Sequence, residues 1–157
     1  YRAQVATKAD SGAHRGEYEI SILKNIQVAG SMTPIDEVVI LHPDDRCEKV
    51  LKLIRSHGHT GFPVEDGGQL IGIMTIRDVE RMREKRDLDV PVKEGMTREP
   101  FTITADTTLE KALEMMIEHD FNHLPVVDAE NRGRMVGFLT RTDIMQAYAQ
   151  YSGNNSQ

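Results

Sequence analysis

The sequence predicts an α/β (α+β) fold in which two β-α-β-β-α repeats pack sheet to sheet with pseudo-two-fold symmetry. Three observations predict it. The chain is written twice: Val28-Ala29-Gly30-Ser31-Met32-Thr33 returns as Val92-Lys93-Glu94-Gly95-Met96-Thr97, Phe62-Pro63-Val64 as Leu124-Pro125-Val126, and Gly72-Ile73-Met74-Thr75-Ile76-Arg77-Asp78 as Gly137-Phe138-Leu139-Thr140-Arg141-Thr142-Asp143. The copies stand 64 residues apart at Met32 and Met96, 62 apart at Pro63 and Pro125, and 65 apart at Gly72 and Gly137. These changes fall at Pro34–Val38 and Ala129–Arg134, polar or turn-rich stretches where insertion is cheap. Finally, a unit of about 60 residues buries a small fraction of its surface and would be marginal alone, so two packed sheet against sheet are expected to make one adequate core.

The elements run in order. Residues 1–27 lie outside the repeat. Lys8–Tyr18 is polar and reads as a linker, and Glu19–Val28, with Ile20, Leu23 and Ile26, reads as a short helix or extended arm docking on the repeats. Repeat 1 spans 28–86, a linker 87–91, repeat 2 92–151, and a disordered tail 152–157. Val38–Leu41 and Phe101–Thr104 are β-rich runs. Pro43-Asp44-Asp45 and Ala105-Asp106-Thr107 then offer caps for helices. Cys47, Val50, Leu51 and Ile54 share one helical face, as do Leu109, Ala112, Leu113 and Met116. Gly58 and Asp120 end those helices. Strands come next at Phe62–Val64 and Leu124–Val127, turns at Glu65–Gln69 and Asp128–Arg134, and strands again at Leu70–Met74 and Met135–Leu139. Arg77–Lys85 and Arg141–Tyr151 are the closing helices.

Bulk properties narrow the function classes. With 157 residues, 39% of them apolar, and a formal charge of −6, the chain is ordinary globular material. It lacks the basic, aromatic-laced stripe of a nucleic-acid binder. A single cysteine, Cys47, allows no internal disulfide; on its apolar face it reads as a small core residue. No apolar run approaches the roughly 20 residues needed to cross a bilayer. The start at Tyr1, without Met, suggests a fragment of a longer protein. No Ser/His/Asp order, glycine-rich phosphate loop or activated cysteine signature points to catalysis.

The ordered set of Met-Thr, a short strand, Pro/Ala-Asp before a helix, an apolar residue with Pro-Val, and Gly-x-x-Thr-x-x-Asp, occurring twice over residues 28–150, resembles the CBS domain. Paired CBS domains form a Bateman module. The resemblance implies a non-catalytic regulatory unit that takes an adenine nucleotide (ATP, ADP or AMP) between its repeats, with no obligatory cofactor, and that associates as a homodimer. Tyr1-Arg2-Ala3-Gln4-Val5, Thr7-Lys8-Ala9-Asp10-Ser11 and Ala13-His14-Arg15 resemble the segment after the last membrane helix of prokaryotic voltage-gated-type chloride channels. That implies a module on the cytoplasmic face of the cell membrane, modulating its own membrane-embedded channel domain. The alternatives are a ligand-free structural dimerisation module, or an adenosyl-ligand sensor attached to a metabolic enzyme.

Asp78 and Asp143 each stand three residues after a threonine at a strand-to-helix junction. Such a carboxylate can accept both hydroxyls of a ribose, or simply cap the closing helix. Thr75 and Thr140 offer hydroxyls beside a helix N-terminus. Arg77 and Arg141 could pair with phosphate or lie solvated. Thr60–Val64 and Asn122–Val126 are expected to line a base pocket. The family often carries a threonine facing the ligand in its first strand; repeat 2 has Thr102 there, repeat 1 has Ile40. The favoured nucleotide site is therefore Thr102, Asn122, His123, Leu124, Pro125, Thr140, Arg141 and Asp143. A second site would comprise Ile40, Thr60, Gly61, Phe62, Pro63, Thr75, Arg77 and Asp78. His57, His59, His119 and His123 align across the repeats. Phosphate contact by His59 or His123 fits better than a metal, because nothing completes a closed metal site.

Overall fold

The computed structural model describes residues 22–85 and 88–155. In chain order the elements are β1 (Thr33–Pro34), α1 (Cys47–His57), β2 (Gly61–Asp66), β3 (Gln69–Thr75), α2 (Ile76–Glu84), α3 (Val92–Gly95), β4 (Thr97–Arg98), β5 (Ile103–Thr104), α4 (Leu109–His119), β6 (His123–Val127), β7 (Met135–Thr140) and α5 (Arg141–Asn155), with 3-10 turns at Val28–Gly30 and Ile35–Glu37.

The repeat written in the sequence is not the unit that folds. One sheet runs β1-β7-β6-β5 and the other β2-β3-β4. The short strand that opens repeat 1 therefore pairs in repeat 2, with Thr33 opposite Phe138, and the strand that opens repeat 2 pairs in repeat 1, with Thr97 opposite Ile73. The duplicated motifs explain the exchange. A Cβ placed on Gly137 would lie 2.5 Å from Met32 Sδ and 2.8 Å from the Thr33 carbonyl; one on Gly72 would lie 2.7 Å from Met96 Sδ and 2.8 Å from the Thr97 carbonyl. The glycine of each Gly-x-x-Thr-x-x-Asp is the floor on which the other repeat's Met-Thr rests.

Each repeat has its own apolar cluster. Leu41, Val50, Phe62, Val64, Met74 and Val79 fill one, and Leu109, Met116, Leu124, Val126, Leu139 and Ile144 the other. Each is the expected product of one apolar helix face on an alternating strand. A third cluster of Ile73, Met135 and Phe138, with Ile35, Val38 and Ile40 packed against it, joins the two sheets.

Several details differ from the sequence reading. The run Val38–Leu41 contributes only an isolated parallel bridge from Leu41 to Val64, and Phe101–Thr104 contributes only Ile103–Thr104. The helices start later than their proposed caps. Thr108 caps α4 by accepting from the Lys111 amide, while Arg46 precedes α1 without a side-chain cap and Asp45 accepts from the His42 amide instead. Gly58 and Asp120 do end their helices, both with positive φ, at 73° and 54°. The closing helix α5 runs on to Asn155, through most of the stretch read as a disordered tail. The described end of the arm docks on repeat 2: Leu23 and Val28 are buried in its cluster, the Val28 amide donates to Thr107 O at 2.8 Å, and the Leu109 amide to Ile26 O at 2.8 Å. The preceding arm and linker residues 1–21 lie outside the described residues.

Candidate functional site

The strand exchange leaves two clefts related by the pseudo-two-fold axis. Cleft A, about 690 Å³, is bounded by Val38 and Val39, by Thr60, Gly61, Phe62 and Pro63, and by Thr140, Arg141 and Asp143. Cleft B, about 500 Å³, is bounded by Pro100 and Phe101, by Asn122 and His123, and by Thr75, Arg77 and Asp78. The sequence grouped these segments the other way. Thr60–Pro63 were assigned with Asp78, and the structure sets them against Asp143. Thr60, Asn122 and His123 line both clefts. Four expected residues lie outside the walls of both. Leu124 and Pro125 are buried in β6, Ile40 packs on the inter-sheet cluster, and Thr102 sits half-buried before β5. The cause is the crossover. Each opening segment passes from one sheet to the other, so each aspartate faces the loop of the opposite repeat, and strand alternation turns Leu124 inward.

The two aspartates share a motif and not an environment. Asp78 is 2% exposed. Its Oδ2 accepts from the Thr75 amide at 2.9 Å and the Thr75 hydroxyl at 3.0 Å; its Oδ1 accepts from Arg81 Nη2 at 2.7 Å and the Thr97 hydroxyl at 3.2 Å. Arg81 also donates to Gly95 O at 3.0 Å, tying α2 to the turn before β4. Both carboxylate oxygens of Asp78 are thus engaged inside the protein. Asp143 keeps only the cap: its Oδ2 accepts from the Thr140 amide at 2.9 Å, and its amide donates to the Thr140 hydroxyl at 3.1 Å. Gln146 stands where repeat 1 has Arg81, and Thr33 where repeat 2 has Thr97, and neither bonds to Asp143. Asp143 lines cleft A, and its Oδ1 has no hydrogen-bond partner among the described residues.

His123 occupies the position of Gly61 in the other repeat. Its ring lies against Gly61, where a Cβ would approach to 2.8 Å, and stacks on Phe138 with centroids 5.9 Å apart. Nε2 is 3.0 Å from the Thr60 hydroxyl. Burial, and then the neighbouring His59, lower its pKa to about 4. A neutral imidazole is a poor phosphate partner, so the phosphate contact expected of His123 is not supplied by a cation there. Arg141 donates through Nη2 to Phe121 O at 3.3 Å, and Arg77 pairs with Asp120 at 3.6 Å on the surface. Among the described residues no three His, Cys, Asp or Glu side chains converge as a metal ion would require. Sequence reasoning missed Glu37, Val38 and Val39 in cleft A and Arg81, Thr97 and Phe101 in cleft B. The Arg81-to-Gln146 change was visible once the repeats were aligned; the role of Val38 and Val39 was hidden because they read as strand.

Paired β-α-β-β-α repeats that exchange their opening strands and leave two clefts between them define the class of fold. The CBS domain family model matches residues 26–85 and again 86–150, and the chain belongs to that family as a tandem CBS pair. Among curated relatives, inosine-5′-monophosphate dehydrogenase of Korarchaeum cryptofilum is 33% identical over 82% of this chain, and that of Methanocaldococcus jannaschii 32% over 81%; the chain spans 26% of the length of each. Among solved structures, CBSX2 in complex with AMP superposes with a TM-score of 0.72 at 29% identity, covering 82% of this chain and 99% of that one. The CBS pair of protein MJ0100, in complex with 5′-methylthioadenosine and S-adenosyl-L-methionine, shares the fold with a TM-score of 0.70 at 23% identity, covering 79% of this chain and 96% of that one. None of these is a chloride channel, and the leading segment that suggested one lies outside the described residues. Among the described residues no helix is long and apolar enough to cross a membrane.

Proposed function

We propose that this CBS pair is a non-catalytic regulatory module that binds one adenosyl ligand per chain, in cleft A, with Asp143 holding the ribose. One observation carries the reading: of two duplicated aspartates, only Asp143 presents an unengaged carboxylate oxygen to a cleft of nucleoside size. A carboxylate accepting two hydroxyls makes charge-assisted bonds stronger than neutral ones. Val38, Val39, Phe62 and Pro63 supply apolar walls for a base. Cleft B remains a second site in outline only, since Asp78 is already taken.

A ligand in cleft A touches both repeats, so it shifts their relative arrangement to the extent that it prefers one arrangement over another. The dehydrogenase relatives favour attachment to a metabolic enzyme, or action as a separate adenosyl sensor, over attachment to a chloride channel. The channel reading rests only on residues 1–15. Homodimerisation belongs to the proposal too, with Ile117 (63% exposed) on α4 as an apolar residue available to it.

Isothermal titration with AMP and S-adenosylmethionine tests the reading. One ligand per chain is expected, with binding lost in Asp143→Ala and kept in Asp78→Ala. If neither compound binds more tightly than about 1 mM, the ligand-free dimerisation module takes its place.

A further inference from the structure

Cleft B carries Arg77, Arg81 and Arg98. The corresponding positions of repeat 2 and of the exchanged strand are Thr142, Gln146 and Pro34. Cleft A has therefore none of the three arginines that its copy has. The charged groups around it are Glu37, Asp143 and Arg141, with His59 and His123 as the other titratable ones.

The one guanidinium is directed elsewhere. Arg141 Nη2 donates to the Phe121 carbonyl, and its Nε is buried without a partner. The start of α5, the natural place for a phosphate, is also largely used up. The Arg141 amide donates to Asn122 O at 3.0 Å and the Asp143 amide to Thr140 Oγ1 at 3.1 Å. His123 is half-buried, and its lowered pKa of about 4 leaves it neutral at about pH 7. Two carboxylates thus face the cleft against one committed cation, on a chain whose formal charge is −6. A polyphosphate tail would meet two carboxylates with only the Arg141 guanidinium to offset them, whereas a sulfonium or an uncharged thioether would add no like charge.

We infer that cleft A discriminates among adenosyl compounds by the charge at the 5′ position, selecting uncharged or cationic 5′ substituents and rejecting the di- and triphosphates. This rests on the adenosyl reading of the cleft. It concerns only the group attached beyond the ribose, because Asp143 treats the diol of all these compounds alike.

The test is titration of the whole chain at about pH 7.5 and low salt with 5′-methylthioadenosine, S-adenosylmethionine, AMP and ATP. The first two are expected to bind at least about tenfold more tightly than ATP, with AMP between. Raising the salt should narrow the gap, since screening weakens the repulsion. Glu37→Gln should narrow it as well, read as the ratio of ATP to 5′-methylthioadenosine affinity. ATP binding as tightly as 5′-methylthioadenosine overturns the charge inference and leaves the adenosyl reading standing. A ratio unmoved by both salt and Glu37→Gln also overturns it. Failure of all four compounds to bind removes the adenosyl reading itself, a result distinct from the others.

Discussion

Cleft A and cleft B are lined by corresponding segments of a duplicated chain, and they differ in what has been done to the aspartate. In cleft B, Arg81 and Thr97 close over Asp78 and convert a ligand-shaped carboxylate into a structural joint between α2 and β4. In cleft A, Gln146 replaces the arginine and Asp143 keeps one edge open. A Thr-x-x-Asp motif therefore states where a carboxylate will sit and not whether it is available. Availability is decided by the residue three positions on, one helical turn away.

The comparison can be broken most sharply at the aspartates. Asp78→Ala removes the carboxylate half of the capping box and three further acceptor contacts, that from Arg81 among them, and should cost about 3 kcal/mol in urea unfolding. Asp143→Ala loses one acceptor contact, from the Thr140 amide, and should cost about 1 kcal/mol. Equal losses would mean that the two environments are not different in substance.

The glycines should behave alike where the aspartates do not. Gly72→Ala and Gly137→Ala each drive a Cβ into a backbone carbonyl of the other repeat, and each should destabilise by about 2 kcal/mol. A harmless alanine at either position would show that the interlock is looser than the geometry implies.

Between the clefts lies His123. Its folded pKa is below the unfolded value, so the unfolded chain binds more protons from about pH 6.5 downward, and stability falls as pH drops toward 4. Between pH 7 and 5 the fall attributable to this ring is about 2 kcal/mol. His123→Gln should flatten that limb of a stability-against-pH curve.

The smallest expected effect is the most direct conversion. Gln146→Arg installs the missing partner opposite Asp143 and should weaken adenosyl binding about tenfold, making cleft A resemble cleft B. Arg81→Gln is the reverse change, read as a second, weaker binding event in the same titration.

The fold was readable where periodicity and repetition agree. The apolar faces of α1 and α4, the strand pairs β2–β3 and β6–β7, and the αL stops at Gly58 and Asp120 all come from local pattern. Of the residues proposed from the motifs, Asp143, Thr140 and Thr60–Pro63 line cleft A. The segments were grouped the other way around the clefts because pairing β1 with β7 and β4 with β3 is a long-range event with no local signature. Val38 and Val39 have strand composition and serve as cleft wall for the same reason. Leu124, extrapolated along a strand, fell outside the clefts because neighbouring side chains on a strand point opposite ways, and Thr102, carried over from the resemblance, precedes the short β5.

The exchange of β1 and β4 sets what a severed chain could do. Cut between the repeats, each fragment would keep most of its own apolar cluster but lose a strand supplied by the other, leaving an open sheet edge that invites pairing. Such fragments have mutual complementation as their route back to full hydrogen bonding, and two copies of either one can attempt the same embrace. The covalent link between the repeats then acts chiefly on concentration: it keeps the correct partner always within reach, so that unlike halves meet before like ones.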